Sequence, residues 1–256
     1  MARRDLIAGN WKMNANHLEA IQMVQKLSYR LDPDDYDRVD VVVCPPFTAL
    51  RSVQTVIEAD HLRIHLGAQD AHWEEAGAFT GAVSATMLEK LGVGFVIVGH
   101  SERRQVFGED DATVARKLRA VLGAGMTPIL AVGETLHQRD DGETDQVVSG
   151  QARTALRGID ADTLATMVVA YEPVWAIGSG RTADPDAAAA AATVIRSVVS
   201  ELGGAEAAAS ARVLYGGSIN PGNISGFMAK REIDGALVGG ASLDPDQFAA
   251  IVRYWV

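Results

Sequence analysis

The sequence predicts an α/β fold, a single closed (β/α)8 barrel spanning residues 1–256. Three observations carry that expectation. Eight short β-like runs recur along the chain. Segments with helical spacing, each about 15 to 25 residues long, separate them, which is the alternation that builds parallel βαβ units. The glycine fingerprint of the competing doubly wound sheet, G-x-G-x-x-G, does not occur. Eight such units in one chain of this length favour closure into a barrel.

Taken in order, the runs show where chemistry is expected. The first, Leu6 to Gly9, leads into Asn10-Trp11-Lys12, and the second runs from Val39 to Cys44. The third covers Leu62 to Gly67, and the fourth, Gly94 to Val98, leads into Gly99-His100-Ser101-Glu102. Pro128 to Val132 is the fifth, and Met167 to Tyr171 the sixth, ending against Glu172-Pro173. Arg212 to Tyr215 and Gly235 to Val238 complete the set, each followed by a glycine pair, Gly216-Gly217 and Gly239-Gly240. Asp184-Pro185 and Asp244-Pro245 each put a capping acid before a proline suited to the first helical position. Ala187 to Ala192 is ordinary helix, alanine being the best helix former. No Pro/Ser-rich linker or charge run interrupts the pattern, so no domain boundary is expected.

Composition narrows the function classes. Lys and Arg number 23 against 33 Asp and Glu, a net charge of −10, which disfavours nucleic acid and anionic membranes as partners. Cys44 is the single cysteine, so neither an intramolecular disulfide framework nor a multi-cysteine zinc site is expected, and a reducing compartment fits. No apolar stretch approaches membrane-spanning length, and the start lacks a sustained apolar signal region. A soluble, cytoplasmic protein is expected.

In such barrels the strand C-termini and following loops carry the chemistry. One rim thus gathers Asn10, Lys12, His100, Glu172 and two glycine turns. Singly, Lys12 reads as a solvated charge and His100 as a structural residue; jointly, on the same end of different strands, they suggest a site. Glu172 ends an apolar strand where a general base could be made, and Pro173 with Gly178 and Gly180 frames a loop with a stiff hinge and a pliable tip. Ser101 and Glu102 suit a helix N-terminus, whose partial positive charge disfavours a second charge on the His100 ring, so a neutral hydrogen-bond donor is expected there. The glycine pairs could be tight turns or, after strands seven and eight, a phosphate cradle. An anionic ligand of so acidic a chain needs local donors of this kind, plus Lys12.

Other chemistries fit less well. Gly216-Gly217-Ser218-Ile219-Asn220 misses the G-x-S-x-G elbow at its last position. His100-Ser101-Glu102 matches the H-x-E of zinc deaminases, but P-C-x-x-C cannot exist with one cysteine. His61 and His65, if both lie on an alternating strand, stand roughly 13 Å apart, too far to share a metal. No metal site is expected.

Over nearly its whole length the chain resembles the triosephosphate isomerase family, namesake of the TIM barrel. The motifs that carry the resemblance are Gly9-Asn10-Trp11-Lys12-Met13-Asn14, Gly67-Ala68-Gln69-Asp70, Gly77-Ala78-Phe79-Thr80-Gly81, Gly99 to Arg104, Tyr171 to Gly180, Tyr215 to Ser218, and Gly239 to Leu243. The resemblance implies interconversion of dihydroxyacetone phosphate and glyceraldehyde 3-phosphate in glycolysis and gluconeogenesis, by a homodimer without metal or cofactor. It implies Glu172 as the base, His100 as the group polarising the carbonyl, Lys12 stabilising negative charge and Asn10 assisting at the oxyanion. Backbone N–H groups of Gly178, Ser218, Gly239 and Gly240 would hold the phosphate, with Tyr215 and Ser218 latching the loop 173–183.

The chain departs from the family pattern at a few places. Ser179-Gly180-Arg181 stands where Thr-Gly-Lys is common in the second hinge, which could shift loop kinetics. Ala131 replaces a cysteine in the fifth strand. Ala82 replaces a glutamate that in the family pairs with the arginine matching Arg103 across the dimer interface, so one bridge between subunits is in doubt. Two other readings compete: a barrel acting on larger sugar phosphates, such as an epimerase or synthase, and a catalytically silent scaffold. The intact set Asn10, Lys12, His100 and Glu172 argues against the scaffold.

Overall fold

Successive strand residues point to opposite faces, so a run buried on both sides stays apolar throughout while its two faces join different cores. A computed structural model, which describes residues 3–177 and 183–256, shows this division. Leu6, Ala8, Val42, Cys44, Ile97, Ile129, Val168, Ala170, Leu214 and Leu237 pack against one another inside a barrel. Ile7, Val41, Val43, Val96, Leu130, Val169 and Val213 belong instead to the layer shared with the surrounding helices.

The barrel closes in chain order from eight parallel strands. They are β1 (Asp5–Asn10), β2 (Val39–Cys44), β3 (His65–Ala68), β4 (Phe95–Val98), β5 (Thr127–Val132), β6 (Val168–Tyr171), β7 (Arg212–Tyr215) and β8 (Gly235–Val238). Closure is made by β1 and β8, with Leu6 opposite Gly235 and Gly9 opposite Val238. The expected (β/α)8 architecture is thus the observed one, and seven strands lie within about two residues of their expected bounds.

The third strand differs. Leu62, Arg63 and Ile64 precede it, because Leu62 N–H donates to Ile57 O at 2.9 Å and His61 adopts φ 51°, terminating the helix Leu50–Ala59 with a left-handed turn. His61 therefore lies outside the strand that His65 begins. The two proline-led helices start as expected. Asp184 caps Pro185–Ser210 by accepting from Asp186 N–H at 2.7 Å, and Asp244 caps Pro245–Val252 by accepting from Asp246 N–H at 2.9 Å. Gly204, at φ 86°, kinks the first of these near its end. Among the described residues no helix is long and apolar enough to cross a membrane.

Closure leaves no room at Gly235, where a Cβ would lie 1.8 Å from the Leu6 carbonyl oxygen at φ +150°. Gly235→Ala is therefore expected to cost on the order of 3 kcal/mol by forcing β1 from β8, read as a lower denaturant midpoint at unchanged slope.

Candidate functional site

The strand period that fills the barrel also delivers its mouth. Leu6 and Ala8 face inward, so Asn10 does too; Val168 and Ala170 face inward, so Glu172 follows them. Both are buried, Glu172 to 2% exposure. With Lys12, His100, Ser218, Gly239 and Gly240 they line a cavity of about 400 Å3 at the C-terminal end of the strands, with Leu237 among its walls. A second cavity of about 410 Å3 lies beside Trp73 and Arg116, away from these groups.

Lys12 is placed by its backbone. It adopts φ 53°, a left-handed conformation costly for a lysine. Its N–H donates to Asn10 Oδ1 at 3.0 Å, and its carbonyl accepts from Gln69 Nε2 at 2.8 Å; the same amide donates to Cys44 O at 2.9 Å. Lys12 Nζ meets Glu102 Oε1 at 2.5 Å. Burial pushes the Cys44 thiol up to about 12, so it stays protonated and inert within the barrel.

His100 caps the one-turn helix Ser101–Gln105, with Nδ1 accepting from Glu102 N–H at 3.2 Å. A ring nitrogen that accepts from an N–H carries no proton, so the ring is neutral and its proton sits on Nε2. Nε2 lies 3.3 Å from Glu172 Oε1, while Glu172 Oε2 accepts from Ser101 N–H at 3.0 Å. One turn is short for a macrodipole; the first-turn N–H groups themselves orient both ring and carboxylate. The result is a carboxylate able to accept a proton beside an imidazole able to donate one.

Glu172 is seated on the end of β5. Its N–H donates to Val132 O at 2.8 Å, and a Cβ on Gly133 would lie 1.9 Å from its carbonyl oxygen. Next along, the buried Glu134 accepts from both Tyr171 OH, at 3.1 Å, and Trp175 Nε1, at 2.9 Å. Burial, and then the neighbouring Glu134 charge, push the Tyr171 hydroxyl far up. Arg139 stacks on Trp175 at 4.3 Å. Glu134 thereby ties the strand carrying the carboxylate to the turn that follows it. It was not among the residues expected from sequence, although it stands directly after a strand end, as the others do.

The flanks of the loop are tied to the region after β7. Ala183 N–H donates to Tyr215 OH at 3.2 Å, and Ser218 Oγ donates to Ala176 O at 2.6 Å. Burial pushes the Tyr215 hydroxyl up to about 12, so it stays protonated at neutral pH. Gly178, Ser179, Gly180 and Arg181, expected at the tip and second hinge, lie outside the described residues. Gly239 lies beside the Lys12 side chain, where a Cβ would stand 3.5 Å from Lys12 Cε.

Arg103 does not stand unpaired where Ala82 leaves it without a glutamate. Its Nε meets Glu109 at 2.6 Å and its Nη2 meets Asp70 at 3.2 Å, both within the same chain. The buried Lys117 joins those two carboxylates at 2.5 Å each.

The model of the triosephosphate isomerase family matches residues 5–255. The chain is 52% identical to the triosephosphate isomerase of Nocardia farcinica over 251 residues, covering 98% of this chain and 96% of that protein. It is 51% identical to that of Mycobacteroides abscessus over 249 residues, covering 97% and 95%. To that of Rhodococcus jostii it is 50% identical over 251 residues, covering 98% and 96%.

Proposed function

The chain belongs to the triosephosphate isomerase family and is an isomerase of triose phosphates, and from that premise we propose which of its residues perform each step. Glu172 removes the proton from the carbon beside the carbonyl and returns it to the neighbouring carbon. His100 donates its Nε2 proton to the carbonyl oxygen and relays protons between the two oxygens, passing the pair through an enediolate. Lys12 stabilises the negative charge on enediolate and phosphate, and Asn10 assists at the oxyanion. The phosphate sits on backbone N–H groups of Ser218, Gly239, Gly240 and Gly178. Closure of the loop excludes water, which strengthens these interactions and keeps the enediolate from losing phosphate.

The observation that supports this division best is the 3.3 Å approach of His100 Nε2 to Glu172 Oε1 in a cavity that also holds Lys12. A coupled assay should show turnover of dihydroxyacetone phosphate and of glyceraldehyde 3-phosphate, undiminished by a chelator. Turnover confined to larger sugar phosphates, or to metal-supplemented protein, contradicts it.

We also propose a cytoplasmic homodimer acting in glycolysis and gluconeogenesis. The exposed Phe79 and Met87, which line one shallow cavity beside Thr80, and the exposed Phe107 supply apolar surface suited to a second copy. Light scattering at micromolar concentration distinguishes a dimer from a monomer.

A further inference from the structure

We propose that Arg104 is a positioning residue that aims the His100 ring, by holding the carbonyl of Gly99 at a place where the strand ladder has ended. The inference rests on the role given to His100 above.

The pairing of β4 with β5 runs out at Val98 opposite Leu130. The next residue, Gly99, is the one that introduces His100. Arg104 reaches back five positions to bridge this gap. Its Nε–H donates to Gly99 O at 2.8 Å, Nη2 donates to Ala131 O on β5 at 3.4 Å, and Nη1 meets Asp111 at 2.6 Å. Backbone reinforces the turn, Arg104 N–H donating to His100 O at 3.1 Å. Holding the Gly99 carbonyl fixes the peptide plane that joins it to His100, and so fixes the axis about which the His100 backbone turns.

The ring is buried, with Glu172 Oε1 3.3 Å from Nε2, and among the described residues the hydrogen bond that fixes its orientation is the 3.2 Å contact from Glu102 N–H to Nδ1. A shift in the peptide lengthens that contact, and with it goes the preference for a proton on Nε2 over Nδ1. The ring then points its donor away from the cavity. Three acceptors in three directions also explain why an arginine stands here. A planar guanidinium serves all three at once, whereas an ammonium on a flexible stem cannot. The adjacent Arg103 turns the other way, to Asp70 and Glu109, so the pair of arginines is not interchangeable.

The test compares Arg104→Met and Arg104→Lys with the parent by steady-state kinetics and by nitrogen NMR of histidine-labelled protein. The expected result is a kcat lowered about ten- to a hundredfold in both variants, with KM within about twofold because the phosphate contacts lie elsewhere. The His100 nitrogen signals should change from one tautomer, protonated at Nε2, to a mixture. Added methylguanidinium should restore part of kcat to Arg104→Ala. Should Arg104→Met fail to fold, Arg104→Lys, which keeps the charge, carries the measurement. Parent-like kcat per folded molecule with unchanged His100 signals overturns the inference. A His100→Gln control separates the two readings: parent-like activity there overturns the role of His100 itself, while an inactive control beside an active Arg104→Met removes the positioning role alone.

Discussion

Glu172→Asp is expected to lower kcat about a hundredfold or more, because a displacement of about 1 Å between base and carbon suffices for that loss. The seating of the residue explains why the loss is not recovered by local adjustment. Its backbone is clamped by the Val132 carbonyl, and the absence of a side chain at Gly133 lets the two segments touch, so the main chain cannot advance to compensate for a missing methylene. The carboxylate must move on its side chain alone. The variant keeps a charge of the same sign in the same buried position, and its unfolding free energy should stay within about 1 kcal/mol of the parent. KM should change little, since the proposed phosphate contacts do not involve this residue. Retained kcat in a folded variant would exclude Glu172 as the base.

Lys12→Met is expected to reduce kcat/KM about a thousandfold, the loss typical of removing one preorganised donor from a developing oxyanion. Among the described residues lining the cavity, Lys12 alone carries a fixed positive charge, and the chain as a whole has a net charge of −10. In the proposed division both substrate phosphate and enediolate depend on it, so KM should rise as kcat falls. Methionine preserves the stem, and the released Glu102 is half-exposed and readily solvated, so stability should hold. A loss in kcat/KM of less than about tenfold, 1.4 kcal/mol, would transfer the anion-binding role from this side chain to the backbone amides.

Most of the barrel is legible in the sequence, because doubly buried parallel strands must be nearly continuous apolar runs and eight of them recur. The third strand shows the limit of that reading. Leu62-Arg63-Ile64 alternates as a strand would, yet the left-handed turn at His61 spends those residues on ending a helix, and nothing in their spacing says so. Site residues such as Asn10, His100 and Glu172 can be read because each stands at or just past a strand end. Their partners cannot be read in the same way. Glu102 on Lys12, Gln69 on the Lys12 carbonyl and Arg104 on Gly99 are set by tertiary contacts, and the first two join positions 90 and 57 residues apart. Glu134 is an intermediate case. Its place after β5 is a legible signal, but its burial beneath Tyr171 and Trp175 makes its function structural support of the hinge. Ala82, standing where the family has a glutamate, reads as leaving Arg103 unpaired only until Asp70 and Glu109 are seen to hold it from within the chain.

The approach of Glu172 to His100 gives the site a tethered competitor. In the proposed division, an arriving carbonyl oxygen enters the space where the carboxylate stands 3.3 Å from the imidazole nitrogen, and the carboxylate moves from there toward carbon. Ligands of the proposed site therefore fall into two sets. A bare oxyanion can settle on the glycine amides with His100 and Glu172 still at their 3.3 Å approach, so its affinity measures that corner alone. A phosphate that also bears a carbonyl separates them, and its departure joins them again. On the proposed assignment, selectivity then resides partly in the approach of Glu172 to His100, which only a molecule reaching both groups opens.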